Sequence, residues 1–314
     1  MRSAVVIVAL LVADTAAADA FELRERPIPG SVVSVAPGVD GAVLVATADQ
    51  TFIIGGNPFM SMLEPLIAGD TALPAAVDAS RLLPHSQVAH GDGGIVFAWL
   101  ANPTERYAHG VLGDRLEAKS LILKGLNRRA ALLPAGEDAV FEDLTPRLID
   151  LDGDGDDEII VVKSYLARGS ALAVVGLDAE GHPAILVETP PIGRPFRWLN
   201  PIGAADFDGD GAVEIAYVET PHIGGTLMLW EWRDGALVRE QAEPGFSNHA
   251  IGSTELGLAA IADVDGDGVA DLAVPGRTRD RLRLVGFAGG VFREFADLPL
   301  EGKIATAIVP LGDD

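Results

Sequence analysis

Acidic side chains recur in three nine-residue segments that share the start Asp-x-Asp-Gly-Asp-Gly and a carboxylate at position 9. We name them loop 1 (residues 150–158), loop 2 (206–214) and loop 3 (263–271). Carboxylates at positions 1, 3, 5 and 9 and a main-chain carbonyl at position 7 can surround a hard cation with oxygens, and the glycines permit the tight turn. The sequence therefore predicts up to three calcium ions, the alternative being three solvated Asp-Gly turns without metal. The candidate ligands are Asp150, Asp152, Asp154, Asp156 and Glu158 in loop 1, Asp206, Asp208, Asp210, Ala212 and Glu214 in loop 2, and Asp263, Asp265, Asp267, Val269 and Asp271 in loop 3.

The residues after each loop distinguish this pattern from an EF-hand, which needs a bidentate Glu at position 12 and flanking helices. Position 12 is Val161, Tyr217 or Val274. Each loop runs into a short apolar segment typical of a buried strand. We therefore expect the three loops to connect β-strands.

The spacing of the loops indicates a repeat array, because they start at 150, 206 and 263, which are 56 and 57 residues apart. A copy that has lost its ligands follows Val88, with the glycine pattern of residues 91–94, and a weaker copy surrounds Asp40. These five copies predict repeat units that start near residues 30, 82, 143, 199 and 256.

Each later unit divides into four strand-like pieces, which in the last unit are residues 258–262, 271–274, 281–287 and 291–295. Four short antiparallel strands per repeat predict an all-β fold, a β-propeller of four-stranded blades. Five blades fit the count best and six come second. Residues 21–29 resemble residues 292–299, which predicts that the ring closes by strand exchange between the chain ends.

The segment 256–274 resembles the FG-GAP repeat of integrin α-chain propellers and its bacterial VCBS-type relatives. Leu256-Gly257 stands where that family has a Phe-Gly pair, and Pro275-Gly276 departs from the family's Gly-Ala-Pro ending. The resemblance implies a calcium-stiffened propeller used for adhesion, ligand binding or assembly. It implies no reaction, because one propeller frame carries many functions.

Composition and the first residues of the chain predict an exported protein. Residues 1–20 combine an early Arg, an apolar core and small residues, as a signal peptide does, so residues 21–314 would form the mature propeller domain, periplasmic or extracellular, with no transmembrane segment. The chain has no Cys, which excludes disulfides and thiolate metal sites. The net charge of -23 argues against nucleic acid as a partner. Loop 1 carries the extra acidic pair Asp156 and Asp157, so we expect it to bind calcium tightest.

Basic and aromatic residues fall in the loops that a propeller would place opposite its calcium loops. These loops also hold Arg106, Lys163, Arg277, Arg128, Arg129, Arg194 and Asn248. The basic and aromatic residues of these loops predict a site for an anionic group, carried by a protein segment or an acidic glycan. The alternative is that they are ordinary solvated loop residues. The candidate ligand-binding residues are Arg168, Arg197, Trp198, His222, His249 and Arg279.

No catalytic motif is present in the sequence: there is no nucleophile elbow, zincin helix, phosphate loop or dinucleotide fingerprint. The favoured function is therefore a noncatalytic, calcium-binding recognition module. The alternative is a carbohydrate-active enzyme, a lyase or hydrolase, with its site at the channel mouth. In that case His222 or His249, beside a carboxylate such as Glu255, would be the general base.

Overall fold

The structure is a computed structural model that describes residues 80–125 and 129–310, residue 78, and five strands nearer the start of the chain. Its regular elements are β-strands, apart from one 3-10 turn at Ala288–Gly290. The strands of this described part are β1 Ala4–Leu10, β2 Glu22–Ile28, β3 Val32–Pro37, β4 Val43–Thr47, β5 Thr51–Ile54, β6 Ala89–His90, β7 Phe97–Thr104, β8 Glu117–Lys124, β9 Ala131–Pro134, β10 Ala139–Phe141, β11 Arg147–Ile149, β12 Glu158–Tyr165, β13 Gly169–Leu177, β14 Pro183–Glu188, β15 Leu199–Ala205, β16 Glu214–Glu219, β17 Thr226–Arg233, β18 Ala236–Pro244, β19 Ala260–Ala262, β20 Asp271–Pro275, β21 Arg281–Gly286 and β22 Arg293–Pro299.

Consecutive strands pair antiparallel in each sheet. Strands β15 to β18 form one four-stranded sheet in chain order, and β19 to β22 form another. Strands β3 to β5 form a three-stranded sheet, and β1 pairs with β2. Strands β6 to β14 form a nine-stranded sheet, in which β9 pairs with β8 and β11 pairs with β12. The chain is therefore all-β, with antiparallel sheets of four or more strands, as the sequence predicts.

The nine-stranded sheet consists of two repeat units joined by the short strand β10. One end of β10 pairs with β8, where Phe141 faces Ala118, and the whole strand pairs with β12, where Phe141 faces Lys163. Without β10, strands β6 to β9 and β11 to β14 would be two separate four-stranded groups. All three residues of β10 are buried.

The described residues divide into two compact units. Unit A contains residues 1–71, 207–209 and 255–314, and unit B contains residues 72–206 and 210–254. In unit B the apolar run 159–162 of β12 is fully buried, because both faces of this central strand are covered. In unit A, Val264, Leu282 and Leu284 form a buried cluster with half-buried side chains that include Phe295.

The predicted strands of the last unit are observed with one shift at the fourth. The segment predicted at 291–295 is a strand at Arg293–Pro299, because Gly289 and Gly290 adopt positive φ angles of 69° and 74° and turn the chain before it. Residues 21–29, which were expected to close the ring with residues 292–299, contain strand β2, and β2 pairs with β1. The blade count, the ring closure, the single mature domain and the signal peptide stay predictions. Asp40 of the weak copy lies outside the described residues, and the residues shortly after it form β4 at Val43–Thr47.

A search of the described residues for a helix with the length and apolar character needed to cross a membrane finds none.

Candidate functional site

The three acidic loops occupy the same place in successive repeats. Loop 1 connects β11 to β12, loop 2 connects β15 to β16, and loop 3 connects β19 to β20. Each loop thus joins the first strand of a four-stranded group to the second, as predicted from the apolar run that follows each loop.

The Asp at position 1 holds the turn together. In loop 1 the Asp150 carboxylate accepts hydrogen bonds from the backbone amides of Gly153, at 2.8 Å, and Gly155, at 3.0 Å. In loop 3 the Asp263 carboxylate accepts the equivalent bonds at 2.7 and 2.9 Å. In loop 2 the Asp206 carboxylate accepts from Gly211 at 2.9 Å. The Asp at position 1 therefore stabilises the same turn in each of the three loops.

The carboxylates at positions 3 and 5 accept hydrogen bonds from amides two residues further on. Asp152 accepts from the amide of Asp154 at 3.2 Å, and Asp154 accepts from that of Asp156 at 2.8 Å. Loop 3 repeats both bonds at Asp265 and Asp267, with the same distances. These bonds use one oxygen of each carboxylate, and the second oxygen can bind a cation. The second oxygen of Asp265 also faces Arg293, whose Nη1 lies 3.9 Å away.

Positions 2 and 9 fix the loops to the protein. Position 2 is Leu151, Phe207 or Val264, and each side chain is at most 2% exposed. The Glu158 carboxylate at position 9 of loop 1 accepts a hydrogen bond from the Leu151 amide at 3.0 Å, and Asp271 in loop 3 bonds the Val264 amide at 2.9 Å. An apolar anchor and a buried carboxylate thus hold an exposed loop in a fixed shape.

Carboxylate oxygens converge in every loop. In each of three sets, one ligand atom per residue lies within 4.8 Å of the others; the sets are Asp150, Asp152 and Glu158; Asp206, Asp208 and Asp210; and Asp263, Asp265 and Asp271. Burial, with the nearby negative charges of the loop, raises the pKa of Glu158 to about 7 and that of Asp271 to about 6. A divalent cation would offset this repulsion.

The donor set fits calcium, because every side-chain candidate supplies a hard oxygen, which calcium prefers. When calcium is bound, positions 1, 3, 5 and 9 would hold it through carboxylates. Ala212 and Val269 would contribute only main-chain carbonyls, as predicted for position 7. Calcium binding itself stays a prediction.

The extra acidic pair of loop 1 bonds to the neighbouring repeat. The Asp157 carboxylate accepts a hydrogen bond from the Asp92 amide at 2.7 Å, and Asp156 accepts one from the Gly94 amide at 2.6 Å. Residues 91–94 belong to the repeat copy that has no carboxylate at positions 1, 3 and 9. Loop 1 therefore supplies acceptors to the backbone of that copy, a use of the pair that the sequence did not suggest.

Three of the predicted ligand-binding residues lie together in unit B. The Trp198 ring stacks on His222, with ring centroids 6.0 Å apart, and meets His249 edge-on at 4.7 Å. His222 Nε2 lies 2.8 Å from His249 Nδ1, and His249 Nε2 lies 3.0 Å from the carbonyl oxygen of Ser253. Glu255, the carboxylate suggested to assist a histidine base, accepts a hydrogen bond from the Gly257 amide at 2.8 Å.

Two further predicted residues, Arg168 and Arg197, meet at the segment 190–197, which we name the arginine loop. The Gly193 amide donates to the Arg168 carbonyl at 2.7 Å, and the Ser170 amide donates to the Arg197 carbonyl at 3.0 Å. Arg168 is exposed, and its guanidinium lies 3.9 Å from the centre of the Tyr165 ring.

The remaining basic candidates have different surroundings. Lys163 is buried and bonds Glu188 at 2.8 Å, and Arg106 bonds the carbonyl of Gly136 at 2.8 Å. Arg279 is half-buried in unit A, where burial lowers its pKa. Arg128 lies outside the described residues. Five of the six predicted residues therefore belong to unit B, where they form the two groups described above, and Arg279 belongs to unit A.

A buried acid-imidazole pair in unit B was missed by the sequence reasoning. The Glu142 side chain is fully buried and lies 2.6 Å from His109 Nδ1, whose side chain is 15% exposed. The Ser164 hydroxyl also donates to Glu142. Burial raises the pKa of Glu142, although the hydrogen bond from His109 opposes this. No local signal reveals the pair, because its members are 33 residues apart.

Comparison with protein families identifies one segment. Residues 206–274, from loop 2 to the strand after loop 3, match the FG-GAP-like repeat. This segment is an FG-GAP-like repeat. No protein in a search of curated sequences matches the chain. The matched segment contains loops 2 and 3 and the sheet between them, and loop 1 repeats their hydrogen bonds. FG-GAP-like repeats typically occur in extracellular or periplasmic proteins, in propeller-like modules for recognition and adhesion.

Proposed function

We propose that this chain is an exported, noncatalytic, calcium-binding β-propeller that recognises a partner, with calcium in loops 1, 2 and 3. The observation that carries the proposal is the repeated loop geometry: in loops 1 and 3 the hydrogen-bond distances from the position 1, 3, 5 and 9 carboxylates agree within about 0.1 Å. Unrelated solvated turns have no reason to keep four carboxylates in the same positions.

The charge of the loops supports the same proposal. The loops hold 6, 4 and 4 acidic residues of the 46 in the chain. Three calcium ions would offset much of this local charge, and extracellular modules bind calcium at about 0.1–1 mM. Export fits this range, because free calcium is abundant outside cells and scarce in the cytosol.

Calcium titration of the mature chain, residues 21–314, tests the proposal. Isothermal titration calorimetry should detect up to three sites with dissociation constants of about 0.1–1 mM or tighter. Replacing Asp152, Asp208 or Asp265 by Ala should remove one site each. Absence of calorimetric binding at 10 mM calcium, about 10–100 times the expected dissociation constant, would contradict the proposal.

A second candidate function, a polysaccharide lyase, is favoured by His109 and Glu142. A buried carboxylate that orients an imidazole is the arrangement of a general base. In an acidic polysaccharide, His109 Nε2 would take the proton from the carbon beside the carboxylate. The bond from the neighbouring carbon to the glycosidic oxygen would break, a carbon-carbon double bond would form, and water would protonate the leaving oxygen.

Ultraviolet absorbance of the unsaturated product tests this second function. Incubation with a polyglucuronate should produce that absorbance in the wild-type protein and not in His109→Ala. If the wild-type protein shows no product while it binds the polymer, the noncatalytic proposal stands and the lyase is excluded for this substrate.

A further inference from the structure

The arginine loop is held in one conformation by hydrogen bonds at both ends. Besides the bonds to Arg168 and Ser170, the Phe196 amide donates to the Tyr107 hydroxyl at 2.6 Å, and the Ser170 hydroxyl donates to the Arg197 carbonyl at 2.9 Å. The loop contains three prolines, at 190, 191 and 195. A loop restricted in this way loses little entropy when it binds a ligand.

Phe196 presents an aromatic ring to solvent. It is 47% exposed, and no other aromatic residue is found among the large exposed hydrophobic side chains of the described part. One face of its ring stacks on Tyr107, with centroids 4.9 Å apart and planes 21° apart. Its φ of 54° is rare for a residue other than glycine and costs about 1 kcal/mol or more. The fold therefore maintains an exposed ring at a cost in stability.

Arginines flank this ring on both sides. Arg194 is exposed and Arg197 is half-buried, and neither has a carboxylate within ion-pair distance among the described residues. Arg168 makes a 3.8 Å pair with Asp138, in which both side chains are more than half exposed, so the pair contributes little. The chain has 46 acidic and 23 basic residues, so arginines without acidic partners are unexpected.

The three arginines lie close together, because the backbone of Arg194 and Arg197 packs against Gly169. A Cβ added at Gly169 would lie 2.2 Å from the Arg194 carbonyl oxygen and 3.1 Å from that of Arg197. Arg168 precedes this glycine in the chain. The surface thus combines three arginines whose backbones adjoin and a half-exposed aromatic ring on a rigid backbone. His109 also lies against this ring, with centroids 5.3 Å apart.

We infer that the arginine loop binds an acidic polysaccharide whose sugar rings carry carboxylates, a polyuronate. A pyranose ring stacks its C–H face on an aromatic ring, and guanidinium groups bind carboxylates with paired hydrogen bonds. A polymer that carries one carboxylate on every sugar ring matches the aromatic ring of Phe196, which is flanked by arginines. A protein partner would need about 800 Å² of surface with an apolar centre, which one exposed ring does not provide.

This inference rests on the proposed recognition role and names its ligand class. The test is calorimetric binding of a glucuronate hexasaccharide to the full mature chain in calcium buffer. Cellohexaose, which has a hydroxymethyl group in place of each carboxylate, is the matched neutral probe, and hexa-aspartate is the peptide probe. The glucuronate hexasaccharide should bind about ten-fold tighter than either.

Variants locate the binding. Phe196→Ala and Arg197→Ala should each weaken glucuronate binding about ten-fold. Arg239→Ala, at an exposed arginine on β18, removes the same charge elsewhere in unit B and should have no effect. Arg194→Ala is a second exposed variant if Arg197→Ala fails to fold.

Three results would overturn the inference: equal binding of cellohexaose, equal or tighter binding of hexa-aspartate, which would point to an acidic protein segment, or an equal loss in Arg239→Ala. The calcium-dependent melting shift of the same samples is read separately. A protein that keeps its calcium shift but does not bind glucuronate loses only the polyuronate inference.

Discussion

Replacement of Asp263 by Asn should remove the calcium-dependent stability of loop 3. The Asp263 carboxylate uses both oxygens to bond the amides of Gly266 and Gly268. Asn has one acceptor oxygen and cannot make both bonds. Because the loop is exposed, we expect a loss of about 1 kcal/mol without calcium.

Calcium should make the loss larger. A site with a dissociation constant of 0.1 mM contributes about 2.7 kcal/mol at 10 mM calcium. At about 2–4 °C per kcal/mol, this corresponds to a calcium-dependent shift of about 5–10 °C in melting temperature. Differential scanning calorimetry measures the melting temperature in 10 mM calcium and in excess chelator. The difference between the two should be about 5–10 °C smaller in Asp263→Asn than in the wild-type protein.

The control is Glu301→Gln, which makes the same change from carboxylate to amide at an exposed position of unit A outside the loops. This variant should keep the full shift. A full shift in Asp263→Asn, or an equal reduction in Glu301→Gln, would refute the assignment of calcium to loop 3.

Three further predictions concern stability in unit B and in the loops. Asp157→Ala should cost about 1 kcal/mol in urea unfolding, by loss of a hydrogen bond to the neighbouring repeat. It should change calcium affinity less than about two-fold, since Asp157 is not among the converging carboxylates Asp150, Asp152 and Glu158 of loop 1. Gly266→Ala should cost about 1–2 kcal/mol, because a φ of 78° is strained for alanine although there is space for its methyl group. Gly225→Ala should prevent stable folding, because its Cβ would lie 1.5 Å from the Phe246 carbonyl oxygen. Burial, with the charges of nearby carboxylates, raises the pKa of Glu117 to about 10 in the folded state. Folded Glu117 therefore stays protonated while the unfolded side chain ionises above about pH 4.5, so wild-type stability falls as the pH rises, and Glu117→Gln should gain stability relative to wild type progressively from pH 5 to pH 9.

Each of these predictions has a defined opposite result. Calcium affinity that falls ten-fold in Asp157→Ala would make this residue part of the ion site. Equal losses in the two glycine variants would show that the close approach at Gly225 can relax. Stability of Glu117→Gln that differs from wild type by the same amount at pH 5 and pH 9 would mean that Glu117 keeps its ordinary pKa when folded.

The acidic loops could be predicted from the sequence because their chemistry is local. Ligand, glycine and following strand lie within a dozen residues, so the position of each loop between two strands follows from the pattern around Asp150, Asp206 and Asp263. The apolar residue at position 2 repeats as well, and its burial could have been inferred from that repetition. The FG-GAP-like repeat was recognised from the same segment.

Contacts between repeats could not be predicted in this way. The bond from Asp92 to Asp157 and the pair of His109 and Glu142 join residues that are 65 and 33 positions apart, and their geometry depends on which strands pair. Phe196 left a signal, an aromatic residue between arginines in a proline-rich loop, but its exposure depends on the stacking with Tyr107. The sequence pattern therefore predicts each repeat, but it does not predict the contacts between neighbouring repeats.

Strand β10 restricts which repeats of this chain can be duplicated or deleted separately. Repeats in an array are usually interchangeable modules, since each contacts its neighbours through similar surfaces and can be duplicated or deleted. Phe141 of β10 is hydrogen-bonded into two repeats at once, so deletion of either would leave an unpaired edge beside a fully buried strand. These two repeats should therefore be inherited, unfold and exchange their amide hydrogens as one indivisible pair.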